Sequence, residues 1–363
     1  MHADKLLDEA GVALDAAADE PFRIIVDDLR DRARLTDVGA DFTRRWLLRL
    51  LRGHADLRDV ATADPGVVDE TIEAPVVVAG APRTGTTYLH GLLAQLPGVR
   101  APQGWELLSP LPPPTGDEAD DDPRIRAADE ELTFPQRISE PMLAIHRYAG
   151  RMHKECLSAM SFAFRSEEFI SRYDLPNYVD WLAAADMTTA YDTHRRVLQV
   201  LQRRQRTGRW VLKSPVHLNN LPTLMAVYPD ARIVITHREP AEVLGSVTSL
   251  VANLRRAFSD RVDEAATGRY HLELYGRTLS SLGPWLDDGV VAPDRVVHVR
   301  QADLIADPQA TLDEIAARFG LPTATVDARP PVETGSHDYT LQGTTPTEVT
   351  RTFAPYRTRF LSS

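Results

Sequence analysis

The stretch that decides the fold is "VVVAGAPRTGTTYLHGLL", Val76 to Leu93. Pro75 to Ala79 is short, apolar and β-branched, the composition of a strand covered on both faces. Gly80 to Thr87 then follows the outline G-x-x-x-x-G-[K]-[ST], except that Thr86 stands where the lysine belongs. Leu89, Leu92, Leu93 and Leu96 mark one face of the helix that follows, and Pro97-Gly98 ends it. A glycine-rich turn from strand to helix aims backbone N–H groups and the positive end of the helix dipole at an anion. Arg83 adds a fixed cation with a planar fork, and Thr84, Thr86 and Thr87 around Gly85 add hydroxyls. The lysine that bridges β- and γ-phosphates in an ATP-binding loop is missing. The loop therefore suits a shorter anionic chain than a triphosphate.

Further βα units lie downstream. Trp210 to Lys213 reads as a buried strand, and Ser214-Pro215 as an N-cap with proline at the first helical position. Leu218, Leu221, Met225 and Tyr228 give that helix its inward face, and Pro229-Asp230 stops it. Arg232 to His237 is the next strand. Glu239-Pro240 opens a helix striped by Val243, Leu244, Val247, Leu250, Val251 and Leu254. A last strand, Arg295 to Val299, precedes a helix from Asp307-Pro308 that Gly320 closes. Successive crossovers of this kind imply a parallel sheet, so the fold class is α/β, a P-loop NTPase-like sheet flanked by helices. Residues 1–73 read as an N-terminal helical extension, with Phe22, Ile24, Ile25 and Leu29, then Phe42, Trp46, Leu47, Leu50 and Leu51, at helical spacing. Residues 74–363 read as one domain with a helical insertion at about 110–205.

Composition narrows the function. The chain has 363 residues, 43% of them hydrophobic, which is enough for a full core. A formal net charge of −11 argues against a nucleic-acid binder. The single cysteine, Cys156, requires no oxidising compartment. The N-terminus has no basic region followed by an apolar one, and no apolar run is long enough to span a bilayer. The expectation is a soluble cytoplasmic protein. His and Cys nowhere cluster at metal-ligand spacing, and Asp120-Asp-Asp122 reads as a solvated run, so no metal is expected.

Pro82-Arg-Thr-Gly-Thr-Thr87 resembles the 5′-phosphosulfate loop of the sulfotransferases that use 3′-phosphoadenylyl sulfate (PAPS), where the pattern is Pro-[Lys/Arg]-x-Gly-Thr-Thr. That family also carries an arginine at the end of a later strand and a serine eight positions on. Here these are Arg238 and Ser246. The resemblance runs from about Pro75 to Gly320 and is nearest to bacterial sulfotransferases with "APRTGTT", "WEL" and "VLKSPxHL" blocks. It implies that Arg83, Thr84, Gly85, Thr86 and Thr87 hold the 5′ end of the donor, and that Arg238 with Ser246 binds the 3′-phosphate. It further implies that Lys213 contacts the sulfuryl or bridging oxygen. The product nucleotide is then 3′,5′-ADP (PAP). Such a donor has no γ-phosphate, which accounts for the absent lysine.

The base is less determined. Glu106 in "APQGWELL" matches the glutamate base of several carbohydrate- and tyrosine-modifying members and is the first choice, with Trp105 and Leu107 beside it to desolvate the carboxylate. His217 is the second, because some members carry a histidine near the lysine. His153 and Glu155 in "RMHKEC" form a third option. Two other readings are a catalytically silent module that binds 3′,5′-ADP or PAPS, and a P-loop nucleotide kinase. The acceptor is open: a small molecule, sugar or lipid bearing a hydroxyl or amine is compatible.

Overall fold

The computed structural model describes residues 1–114, 122–139, 142, 148–203, 208–329 and 340–362; Asp120 and Asp121 of the acidic run lie outside these. The chain divides into two units, residues 1–72, 103–206 and 253–262, and residues 73–102, 207–252 and 263–363.

The second unit holds a five-stranded sheet in the order β2-β3-β1-β4-β5. The strands are β1 Val76–Gly80, β2 Val99–Arg100, β3 Arg209–Lys213, β4 Arg232–His237 and β5 Val296–Arg300. All four pairings are parallel, with Val78 opposite Lys213 on one side of β1 and opposite Val234 on the other. Because β3 and β4 flank β1, the chain changes side at β1, and the carboxyl ends there are where ligands gather in such sheets. Every residue of β1 is buried. Val76, Val78, Val211, Val234, Val297 and Val299 form a core with Leu89, Leu92, Leu93, Leu96, Leu304, Leu312, Ile315 and Phe319. The helix Pro308–Phe319 starts on Asp307, whose side chain accepts from the Ala310 N–H, and ends at Gly320 with φ of 64°.

The segment after β3 departs from its sequence pattern. The expected single helix is two, Val216–Asn219 and Leu221–Val227, separated at Asn220. Pro222 has no N–H for the Leu218 carbonyl, so the helix is interrupted there. Nor does Ser214 cap it: Pro215 occupies the N-cap position, and the buried Ser214 Oγ has no hydrogen-bond partner among the described residues. Met225 is only half-buried where an inward face was expected.

In the first unit the helices Ala3–Ala10, Ala16–Asp31 and Asp37–Ala63 bear out the N-terminal periodicity. Phe22, Ile25, Leu29, Phe42, Trp46, Leu47, Leu50 and Leu51 are buried, and Ile24 is half-buried. Asp15 and Thr36 cap the second and third helices through their side chains. Phe42 stacks on Phe134 with centroids 4.4 Å apart, and the Arg172 guanidinium lies 4.9 Å from the Trp46 ring. Buried Glu168 answers that cation at 2.9 Å. Burial alone would raise the Glu168 pKa, but Arg172 and Lys154 overrule it and hold the carboxyl at about 2.

Candidate active site

The loop after β1 is shaped by three backbone constraints. A Cβ on Gly80 would come within 2.0 Å of Thr236 Oγ1, so β4 approaches too closely for any side chain there. Gly85 N-caps the helix Thr86–Leu93 with φ of 90°, a conformation that suits glycine. Arg83, two residues earlier, adopts φ of 69° although it has a side chain, at a cost of roughly 1–2 kcal/mol. Its carbonyl is held by two donors, Arg238 Nη1 at 2.8 Å and Gln301 Nε2 at 3.1 Å. Strain held this way is typical of a ligand clamp.

Side chains then meet at the loop. Arg83 Nε donates to Ser246 Oγ at 3.0 Å. Lys213, 2% exposed at the carboxyl end of β3, donates from Nζ to Thr87 Oγ1 at 3.1 Å. Thr84 Oγ1 donates to the Ala81 carbonyl at 2.7 Å and lies 2.6 Å from Thr236 Oγ1, so its hydroxyl serves the loop's own shape. Thr86 is buried and Thr87 exposed. Arg238, besides its bond to the loop, pairs with Glu242 at 2.7 Å. The site therefore draws together Arg83, Thr87, Lys213, Arg238 and Ser246 from β1, β3, β4 and their following segments.

Gln301, Thr236 and Tyr356 were not singled out in the sequence. The Tyr356 hydroxyl accepts from the Arg238 backbone N–H and is 2.8 Å from His237 Nδ1. His237 Nε2 is in turn 2.8 Å from His298 Nδ1. Burial, then the charges of His298 and Arg300, push the His237 imidazole down to about 3, so it is neutral near pH 7. With a neutral ring, one His237 nitrogen donates and the other accepts, so the imidazole links the Tyr356 hydroxyl to His298. Tyr356 lies 119 positions from His237, and no periodicity links them.

The base candidates fall in different units. His217 is fully buried in the one-turn helix Val216–Asn219, in the sheet-bearing unit. Glu106, His153 and Glu155 belong to the helical unit. Glu106 is the third residue of the helix Gly104–Leu108 and completes a capping box, accepting from the Gln103 N–H at 2.8 Å. Trp105 and Leu107 beside it are buried. Gln103 forms a β-bridge with His153, whose imidazole is lowered by desolvation and raised by the Glu106 charge. Glu155 lines a cavity of about 60 Å³ with Lys154, Glu168 and Arg172. Among the described residues, no three His, Cys, Asp or Glu side chains are grouped to hold a metal ion, and no helix is long and apolar enough to cross a membrane.

The model of the Sulfotransferase family matches residues 75–325, which contain the loop, both flanking strands, Arg238 and the helix Pro240–Arg256. The chain belongs to the sulfotransferase family. It is 28% identical over 279 residues to the omega-hydroxy-beta-dihydromenaquinone-9 sulfotransferase Stf3 of Mycobacterium bovis and of Mycobacterium tuberculosis. That match takes in 70% of this chain and 65% of each relative's own length. Among solved structures, sulfotransferase STF1 of Mycobacterium tuberculosis H37Rv superposes with a TM-score of 0.81 at 29% identity, covering 98% of this chain and 99% of that one. Sulfotransferase STF9 of Mycobacterium avium gives 0.82 at 24% identity, covering 100% and 97%, and speaks to the fold. The α/β architecture with a parallel sheet, anticipated from the successive crossovers, is the fold these proteins share.

Proposed function

We propose that the chain transfers the sulfuryl group of PAPS to an acceptor hydroxyl, with 3′,5′-ADP as the second product. The observation that carries this reading is the donation of Arg83 to Ser246 and of Lys213 to Thr87 at one strained loop that lacks the triphosphate lysine. Arg83 and the loop amides suit the 5′-phosphosulfate. Arg238 and Ser246 suit the 3′-phosphate. The acceptor oxygen forms a bond to sulfur while the bond from sulfur to the 5′-phosphate oxygen breaks in line, and the electron pair stays on the nucleotide. Lys213 stabilises charge developing on the bridging oxygen, and the acceptor proton passes to a base. For that base we put Glu106 first and His217 second.

Arg83 and Lys213 supply the positive charge that magnesium supplies in P-loop kinases, so we propose a metal-independent enzyme. Because curated relatives are named for an omega-hydroxy-dihydromenaquinone, we favour a lipid alcohol among the compatible acceptors. A cytoplasmic setting suits a chain whose one cysteine, Cys156, is buried. We keep the boundaries 1–73 and 74–363 as the proposed extension and catalytic domain. The test is calorimetric titration with 3′,5′-ADP, 5′-AMP and ATP, followed by turnover in EDTA. Binding of 3′,5′-ADP should far exceed the other two. Equal affinity for 5′-AMP would refute the assignment.

A further inference from the structure

We infer that Glu242 is a displaceable counter-ion on the arginine that reads the donor's 3′-phosphate, and that it tunes both selectivity for that phosphate and release of the product nucleotide. The inference rests on the function proposed above. Its basis is a spacing. Arg238, Glu242 and Ser246 follow one another at four-residue steps, where the helix Pro240–Arg256 begins. Residues four apart share one helix face, so Glu242 and Ser246 lie one turn apart on that helix, and Arg238 stands just before its first turn.

The contacts give this spacing a meaning. Glu242 Oε2 receives Arg238 Nε at 2.8 Å and Nη2 at 2.7 Å. Arg238 is also fixed from behind, because its Nη1 is tied to the Arg83 carbonyl. The Glu242 side chain is 56% exposed against 24% for Arg238. The acid can therefore swing into water while the arginine stays, and an exposed ion pair of this kind holds its partner weakly. Ser246 Oγ accepts from Arg83 Nε, which leaves its own proton to donate toward an incoming phosphate oxygen.

A phosphate monoester that reaches Arg238 and Ser246 takes the position of the Glu242 carboxylate and then lies beside it. Displacing that carboxylate and then lying next to it both weaken binding of the 3′-phosphate, and neither affects a nucleotide without one. The acid is thus a built-in means of keeping 3′,5′-ADP from being held too tightly after transfer.

The test compares Glu242→Gln and Glu242→Ala with Glu239→Gln, a control that removes a neighbouring acid paired instead with Arg357 at 3.2 Å. Affinities for 3′,5′-ADP and 5′-AMP are measured by calorimetry, and 3′,5′-ADP dissociation by stopped flow. Both Glu242 variants should bind 3′,5′-ADP about five- to tenfold more tightly, with dissociation slowed by a similar factor and 5′-AMP affinity unchanged. The Glu239 variant should change neither. Equal tightening toward both nucleotides, or weaker 3′,5′-ADP binding in both Glu242 variants, would overturn the inference. Failure of the wild-type protein to prefer 3′,5′-ADP over 5′-AMP would instead bring down the functional reading, and this inference with it. An intact preference that the Glu242 variants leave unaltered would remove the inference alone.

Discussion

In the unit that carries the sheet, Arg83 and Lys213 donate to hydroxyls and Arg238 to a main-chain carbonyl around one loop. In the helical unit, the buried Arg172 faces Glu168 at 2.9 Å and rests on the rings of Phe42, Trp46 and Phe258. Both regions enclose positive charge, but the surroundings differ. Arg172 has a buried carboxylate partner and an aromatic bed, the arrangement of a charge fixed for folding. The loop cations gather at the carboxyl ends of parallel strands, Arg83 among them on strained backbone, the arrangement of a charge set for a ligand. The contrast predicts a division of labour: changes at Arg238 and Ser246 should alter nucleotide affinity, and changes at Glu106, in the helical unit, should alter rate.

The largest expected effect is at Glu106. Glu106→Gln keeps an oxygen to accept from the Gln103 N–H, so the capping box survives while the proton acceptor is lost. Steady-state kinetics should give a rate lower by roughly 10² to 10⁴, with 3′,5′-ADP affinity unchanged. His217→Gln should cost less. The reverse ordering would move the base into the sheet-bearing unit and break the division.

Next comes Arg238→Ala, which removes a charge-assisted contact. Calorimetry should read a ten- to hundredfold loss for 3′,5′-ADP, about 1.5–3 kcal/mol, and little change for 5′-AMP. A loss shared equally by both nucleotides would mean that Arg238 acts through the Arg83 carbonyl it holds, shaping the loop without reading the phosphate.

Each unit also contains a buried histidine, and these offer a test of stability that is independent of catalysis. Burial holds His194 at about 3 in the helical unit, and His237 is likewise at about 3 beside the loop. Both lie below the usual value near 6.5, so between about pH 6.5 and 3 the unfolded chain binds more protons than the folded one. Stability therefore rises with pH through that window and is lost as pH falls, by up to ~1.4 kcal/mol per pH unit for each histidine. Urea unfolding at pH 4.5, 5.5 and 6.5 should show a shallower slope for His194→Gln and for His237→Gln. An unaltered slope in either would show that its ring is already protonated in the folded state.

How much of this was legible in the sequence follows the same division. The strand before the loop, the glycines, Arg83, Arg238 and Ser246 all lie in or next to segments whose own pattern announces them. β2 is only Val99–Arg100, too short for any periodicity, and exists because Arg209 and Trp210 pair with it. Gln301, Thr236 and Tyr356 reach the site through contacts 218, 152 and 119 positions long, which no local signal encodes. The break at Asn220 was legible in Pro222, but the continuous apolar stripe hid it. Ser214-Pro215 has the residue types of a cap, yet the hydroxyl finds no partner among the described residues. At Glu106, local pattern gave the residue and not its bond, which needed the turn at Gln103.

That bond sets up the smallest expected effect, and the one that isolates the catalytic role from the structural one. The sheet-bearing unit contains a second capping box, Thr345 with Glu348 at the third position of the helix Pro346–Phe360. Glu348 accepts from the Thr345 N–H and hydroxyl at 2.8 Å, and the hydroxyl bond leads in lowering its pKa. It therefore does for its helix what Glu106 does for Gly104–Leu108, but on the surface. Glutamine serves at that position of a capping box as glutamate does, so Glu348→Gln should move the melting temperature by no more than about 2 °C and leave turnover and 3′,5′-ADP affinity as they were. Glu106→Gln makes the same chemical change at the same position of the same motif, buried in place of exposed. If the two variants melt alike while only Glu106→Gln loses rate, capping accounts for none of that loss. If Glu106→Gln instead melts many degrees lower, with rate lost in proportion to the folded fraction, Glu106 is a structural cap and the proton goes elsewhere.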